Sequence, residues 1–238
     1  MDTVHWTSIG AVDFERFAKA RHQVHSAVLW LARMACSYGG EDPSLLWNAG
    51  RRAIATGPLG GGLGMELRLP ELVLQFTEHG VPVRHDFETE GHTQAQVEAW
   101  ILVELLHRDV DRDRFSKTLP YDVSDLMTGD VVEFSPEAYR AELDALAGWY
   151  ENGASVLAAL PGEARLWPQD MALELAEGAD RAGFSPGLAP SGRPGFYVSR
   201  PADRSLPPAS VLGIDGLPPG EGGAGRVAAF LRGEMGAS

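Results

Sequence analysis

Over residues 13–38 the apolar side chains Phe14, Phe17, Val24, Val28, Leu31 and Ala35 recur at three- and four-residue steps, so one face of a helix turns to a core. Gly39-Gly40 ends that run. The stretch on to Gly64, with Pro43, Pro58 and Gly60-Gly61-Gly62, reads mainly as loop. Residues 65–69 and 72–77 then alternate around Pro70, His79-Gly80 turns the chain, and residues 81–88 follow, which predicts a β-hairpin bent at the proline. Thr93, three residues before Gln96, forms a capping-box pattern for a helix that reaches His107. Its Val97, Trp100, Ile101, Leu102, Val103, Leu105 and Leu106 cover most of the circumference, so this helix is expected to lie buried between other elements.

Residues 108–134 are polar and turn-rich, an unusually long connection for a compact domain. Ser135-Pro136 opens a third long helix, and Leu143, Leu146, Tyr150, Ala154 and Leu157 carry its apolar stripe to about Leu160. Residues 165–167, 170–177 and 195–199 read as strands, residues 201–223 as a proline- and glycine-rich connection, and residues 226–232 as a closing helix. This order predicts an α+β fold of long helices packed on antiparallel β-sheet. It is expected as one domain over 1–238, with room for two similar α/β halves at 1–134 and 135–238.

Composition narrows the class. The chain has 44% hydrophobic and 22% charged residues, ordinary globular usage that excludes a disordered, collagenous or coiled-coil chain. Gly 28 and Pro 16 make 44 of 238 residues, about 18%, which favours long irregular connections. The formal charge of −13 would repel polyphosphate, so nucleic acid is not an expected partner. The first residues carry neither a basic start nor the apolar run of a secretory signal. The densest apolar segment, 99–106, includes Glu104 and is too short for a membrane span, so a soluble cytoplasmic protein is expected. A single cysteine, Cys36, excludes an intramolecular disulfide and any cysteine-only metal site, and it is expected as an inert buried thiol.

Several patterns have bland readings. Gly183-Phe184-Ser185-Pro186-Gly187 matches G-x-S-x-G, but that motif needs a strand-to-helix turn and a later histidine, and all seven histidines precede Ser185. A proline-glycine turn is expected there. Asp109, Asp111 and Asp113 open like a calcium loop, yet Arg114 and Pro120 stand where its glycine and glutamate belong, so a solvated segment is expected. The glycines at 60–64 lack a phosphate loop's lysine and lead towards a strand. Neither His22-x-x-His25 nor the group His85, Asp86, Glu88 and His92 has a recognised ligand spacing, and no metal or cofactor is expected.

Polar residues at core positions are more informative. Arg21 and His25 sit one turn apart on the apolar face of the first helix, and Glu104 sits among Val97, Trp100 and Ile101. Buried charges must be paired or neutralised. The three are therefore expected to converge on an internal polar cluster, as a structural ion pair or as the lining of a ligand pocket.

From Arg165-Leu166-Trp167-Pro168-Gln169-Asp170-Met171-Ala172 onward, over about residues 165–201, the chain resembles a family of uncharacterised bacterial proteins. That family's pattern runs from a tryptophan-proline step through a polar, histidine-containing stretch with an aspartate to Ser-Pro-Gly and a proline-led Tyr/Phe strand. Ser185-Pro186-Gly187 and Pro194-Gly195-Phe196-Tyr197-Val198 match the later parts. The family's histidine pair has no counterpart here, Leu188 stands in place of an acidic residue, and Asp170 matches the aspartate only across a two-residue deletion. The resemblance implies a fold neighbourhood and no reaction.

The resulting expectation is a small-molecule ligand held in a cleft between the N-terminal helical half and the late strands. Its lining would be Arg21, His25, Glu104, Asp170, Ser185 and Tyr197. Arg21 would orient an anionic group, and Tyr197 would supply an apolar wall with a polar tip. Two alternatives stand beside it: a hydrolase-type enzyme with His25 or Asp170 as general base, and a homodimeric interaction module without catalysis.

Overall fold

A computed structural model describes residues 5–40, 42–123, 126–127, 129–177, 180–188, 191–200, 208–218 and 220–235. Helix α1 (Phe14–Met34) starts where the Asp13 carboxylate accepts the N–H groups of Glu15 and Arg16, and it runs on into a π-helical turn, Ala35–Gly39. Strands β1 (Leu45–Asn48), β2 (Ala53–Thr56), β3 (Leu63–Arg68), β4 (Val73–Glu78), β5 (Val81–Pro82) and β6 (Phe87–Glu88) follow, then α2 (Gln94–His107). A 3-10 turn, Pro136–Tyr139, leads into α3 (Arg140–Leu157). Strands β7 (Arg165–Trp167), β8 (Ala172–Glu177), β9 (Asp180–Leu188), β10 (Arg193–Ser199) and β11 (Ser210–Gly213) precede α4 (Glu221–Met235).

The fold is α+β, with the helices packed on one antiparallel sheet ordered β11-β10-β9-β8-β7-β1-β2-β3-β4-β5, and β6 also paired to β4. Each half contributes a helix, a strand meander and a second helix. The two meanders meet where Leu45 of β1 faces Leu166 of β7. Helix α1 packs on β2 and β3, α3 packs on β8 and β9, and the two helices touch each other. One apolar cluster runs through both halves, from Val24, Val28 and Leu31 through Met65 and Phe76 to Tyr150, Phe184, Phe196 and Leu231. Full burial of a side chain of that size contributes about 1.5–3 kcal/mol.

Four expectations are corrected. The stretch before Gly64 holds two strands, β1 and β2, whose four residues each are too short to show a period. Residues 183–187 are strand, not turn: β9 passes so close to β8 that a Cβ on Gly183 would lie 2.3 Å from the Leu173 carbonyl oxygen. The connection read over 201–223 contains β11, and its residues 201–207 lie outside the described residues. Helix α2 buries only Gln94, Val97, Ile101, Glu104 and Leu105, and it leaves Val103 and Leu106 about half exposed at 47% and 51%. The capping box of α2 is present, with Thr93 and Gln96 bonded reciprocally.

Candidate functional site

Arg21 and His25 project from α1 onto the C-terminal half. Arg21 Nη1 donates to the carbonyls of Pro186 at 2.9 Å and Gly192 at 2.7 Å, which bracket the turn between β9 and β10. Its guanidinium lies against Gly187, where a Cβ would fall 1.7 Å from Nη1, so a larger residue there would displace the Arg21 side chain. His25 Nε2 donates to the Pro168 carbonyl at 2.8 Å, and because a carbonyl only accepts, this bond fixes the tautomer. Burial pushes the imidazole below its ordinary pKa, opposed by the Pro168 carbonyl and by Asp170. Asp170 is exposed, and its Oδ1 accepts the Ala172 N–H at 3.1 Å. Its charge is also felt by Tyr121, Tyr150 and Tyr197, each of whose phenol pKa burial raises. Arg21 and His25 therefore close one seam through direct bonds to backbone carbonyls, with the Asp170 charge acting on His25.

Glu104 does not join them. Its Oε2 lies 2.6 Å from Arg108 Nη1, one turn along the same helix, and its Oε1 lies 3.7 Å from His107 Nδ1. Arg108 reaches on to Glu78 at 3.3 Å and stacks 4.9 Å from the centre of the Phe76 ring. The expected convergence with Arg21 and His25 is thus corrected. A buried carboxylate takes the nearest cation, and an i,i+4 arginine supplies one without crossing the molecule.

Ser185 and Tyr197 lie on neighbouring strands. The Ser185 hydroxyl accepts the Gly187 N–H at 3.2 Å from within a continuous strand, so the G-x-S-x-G match builds no nucleophile elbow. The Tyr197 hydroxyl donates to Glu174 Oε2, and Arg181 Nη1 binds the same oxygen at 3.0 Å while its Nη2 donates to Ser199 Oγ at 3.3 Å. Glu174 is 2% exposed and Arg181 6%, so this is a buried network. Sequence reading passed over it because Glu174 occupies the polar phase of an alternating strand, which normally faces water.

Three cavities are lined by none of the six residues expected at the site. One of about 430 Å³ and one of about 290 Å³ flank the N-terminal strap, residues 6–13, on its way past α3. The third, of about 410 Å³, lies over α1 and has the richest chemistry. Ser26, Leu29 and Arg33 of α1, Gln94 at the start of α2, and Lys117, Leu119 and Tyr121 of the long connection line it. That connection is tied down by Ser116 N–H to Ser37 Oγ at 2.9 Å and Met127 N–H to Ser26 Oγ at 3.2 Å.

Arg33 stacks 4.3 Å from the centre of the Trp30 ring and donates through Nε to the Lys117 carbonyl at 3.3 Å. Among the described residues it has no carboxylate partner at ion-pair distance, and burial pulls its pKa down, opposed by Glu98. Lys117, in contrast, is neutralised by Glu98 at 3.0 Å. Gln94 accepts the indole N–H of Trp30 through Oε1, which leaves its amide nitrogen without a partner. Among the described residues the Tyr121 hydroxyl is likewise buried and without a partner. The only hint of this basin in the sequence was the length of the 108–134 connection, since such loops tend to be functional.

Cys36 is half buried, and desolvation raises its thiol pKa, so the reactive thiolate is disfavoured. Among the described residues no group of three His, Cys, Asp or Glu side chains could hold a metal ion, and no helix is long and apolar enough to cross a membrane. No family model, curated protein or solved structure matches the chain.

Proposed function

We propose that this protein binds a small molecule, and that the binding site is the basin over α1 rather than the seam at Arg21 and His25. The observation that carries this reading is a 410 Å³ cavity whose walls hold a half-buried arginine without a carboxylate and two buried donors without acceptors. The volume falls within the range of small-ligand sites. Unpaired buried polar groups cost about 1–3 kcal/mol each, a cost that a bound acceptor relieves. The seam, in contrast, is closed by bonds from Arg21 Nη1 and His25 Nε2 to backbone carbonyls.

Thermal denaturation of the full chain against anionic, neutral and cationic small molecules tests the reading. A ligand at 100 times its Kd stabilises by about 2.7 kcal/mol. For a chain of this size that raises Tm by about 5–10 °C. The half-buried Leu119 forms part of the wall, so Leu119→Trp should fill the basin and abolish the rise. No saturable rise with any compound, or an equal rise in Leu119→Trp, overturns the proposal.

A further inference from the structure

We infer that the ligand of this basin carries an oxyanion, a carboxylate or a phosphate group, received by Arg33 with Gln94 and Tyr121 as supporting donors. The inference rests on the small-molecule reading and deepens it. Three of the polar groups around the cavity have donors to spare among the described residues: the outer nitrogens of Arg33, the Gln94 amide nitrogen and the Tyr121 hydroxyl. A planar guanidinium offers paired N–H groups that match carboxylate and phosphate oxygens. Stacking on Trp30 holds the plane of Arg33 in place, and the Lys117 carbonyl takes only its Nε, so the outer nitrogens remain for a ligand.

The orientation of Gln94 is also set by its surroundings. Trp30 is a donor only, so it must bond the amide oxygen, and the NH2 end is the one left over. Gln94 and Tyr121 both line the basin, and the amide nitrogen and the hydroxyl are shielded from solvent. The opposing charges are Glu98, which is engaged with Lys117, and Asp122, which is exposed in the lining. The protein as a whole carries −13, so selection of an anion must come from these local donors rather than from the long-range field.

The probes are inorganic phosphate and acetate, with glucose and tetramethylammonium as neutral and cationic counterparts, titrated at constant ionic strength into the full chain and into Leu119→Trp. Saturable binding of phosphate or acetate by the wild type, absent from Leu119→Trp, is expected, and which of the two saturates first identifies the oxyanion. Arg33→Gln should weaken that binding by at least tenfold. Gln94→Glu keeps the acceptor for Trp30 but replaces the amide donors by a charge, and it should weaken binding at least as much.

Tyr121→Phe removes a hydroxyl that has no hydrogen-bond partner among the described residues. It should leave the unliganded Tm unchanged or raised while weakening the anion about three- to tenfold. That combination separates a ligand contact from a structural role even if Arg33→Gln folds poorly. If glucose or tetramethylammonium binds in a manner blocked by Leu119→Trp while the anions do not, the oxyanion assignment is overturned and the small-molecule site survives. If no probe of any charge binds, both fall.

Discussion

The two halves of the sheet are built alike, yet the chain laid over their first helices is treated differently. In the C-terminal half α3 is overlaid by the strap at residues 6–13. There Asn152 closes a reciprocal pair with Thr7, accepting its N–H at 2.6 Å and donating to its carbonyl at 3.0 Å. In the N-terminal half α1 is overlaid by the 108–134 connection, which leaves Arg33, Gln94 and Tyr121 incompletely bonded around a cavity. A strap anchored through both backbone atoms of Thr7 adds stability at that point, although the buried Trp149 indole N–H beside it has no partner among the described residues. One that buries donors without acceptors costs stability, and such a cost is retained where another molecule supplies what is missing.

The sharpest way to break the comparison between halves is through their buried carboxylates. Glu66 of β3 is fully shielded and relies on Arg51 Nη2 at 2.8 Å, whereas Glu174 of β8 is held by both Arg181 and Tyr197. Arg51→Ala should cost about 3–5 kcal/mol by urea denaturation, because an uncompensated carboxylate is left inside. Tyr197→Phe should cost only about 1 kcal/mol, since Arg181 remains. Equal losses would mean that the second partner in the C-terminal half adds nothing.

A medium effect is expected at two sheet glycines on corresponding strands. A Cβ at Gly183 of β9 would strike backbone, the Leu173 oxygen at 2.3 Å and the Glu174 Cα at 2.7 Å. At Gly64 of β3 it would crowd the Thr77 hydroxyl, at 2.7 Å, which can rotate away, and would make an ordinary contact with the Thr56 hydroxyl at 3.7 Å. Gly183→Ala should therefore destabilise by about 1–3 kcal/mol, and Gly64→Ala by less than about 1 kcal/mol. The melting temperatures of the two variants decide the point, and a reversed order would contradict the close approach of β8 and β9.

The smallest effect concerns the seam that joins the halves. The folded-state pKa of His25 is depressed by burial, with Asp170 opposing and Arg21 and His22 adding to the depression. The unfolded chain thus takes up the proton first. Stability from this residue is complete above the unfolded value of about 6.5 and declines as pH falls towards the folded value. The urea midpoint followed from pH 8 to pH 5 should fall more steeply in the wild type than in His25→Gln. Parallel curves would show that the ring is as hydrated in the folded protein as in the unfolded one.

Legibility of the fold followed burial pattern. Helices α1 and α3 were readable because one face of each meets the core, so Val24, Val28, Leu143 and Tyr150 fall at helical intervals. The strands β3 and β4 were readable by their apolar runs, but Pro70, expected as a bend, lies in the turn that pairs them. Strand β9 was not, since Gly183, Pro186 and Gly187 carry local turn signals. Their reasons are tertiary: the first must admit β8 and the last must admit Arg21. Of the expected cluster of Arg21, His25 and Glu104, the first two do reach across to the C-terminal half, where both bond backbone carbonyls. The sequence misplaced Glu104, because a helix wheel shows which face a residue occupies but not which cation on that helix will claim it.

The amino-acid order alone determined the class of this molecule: where the long helices run, that they pack on antiparallel strands, and that polar groups must be accommodated inside. Periodicity carries that information because burial of one face is a local constraint repeated along the chain. Only the tertiary structure decided which polar groups find partners. Pairing depends on distances between segments remote in sequence, and no residue's own neighbours could tell that Asn152 would be matched by Thr7 while Gln94 and Tyr121 would be left with donors to spare.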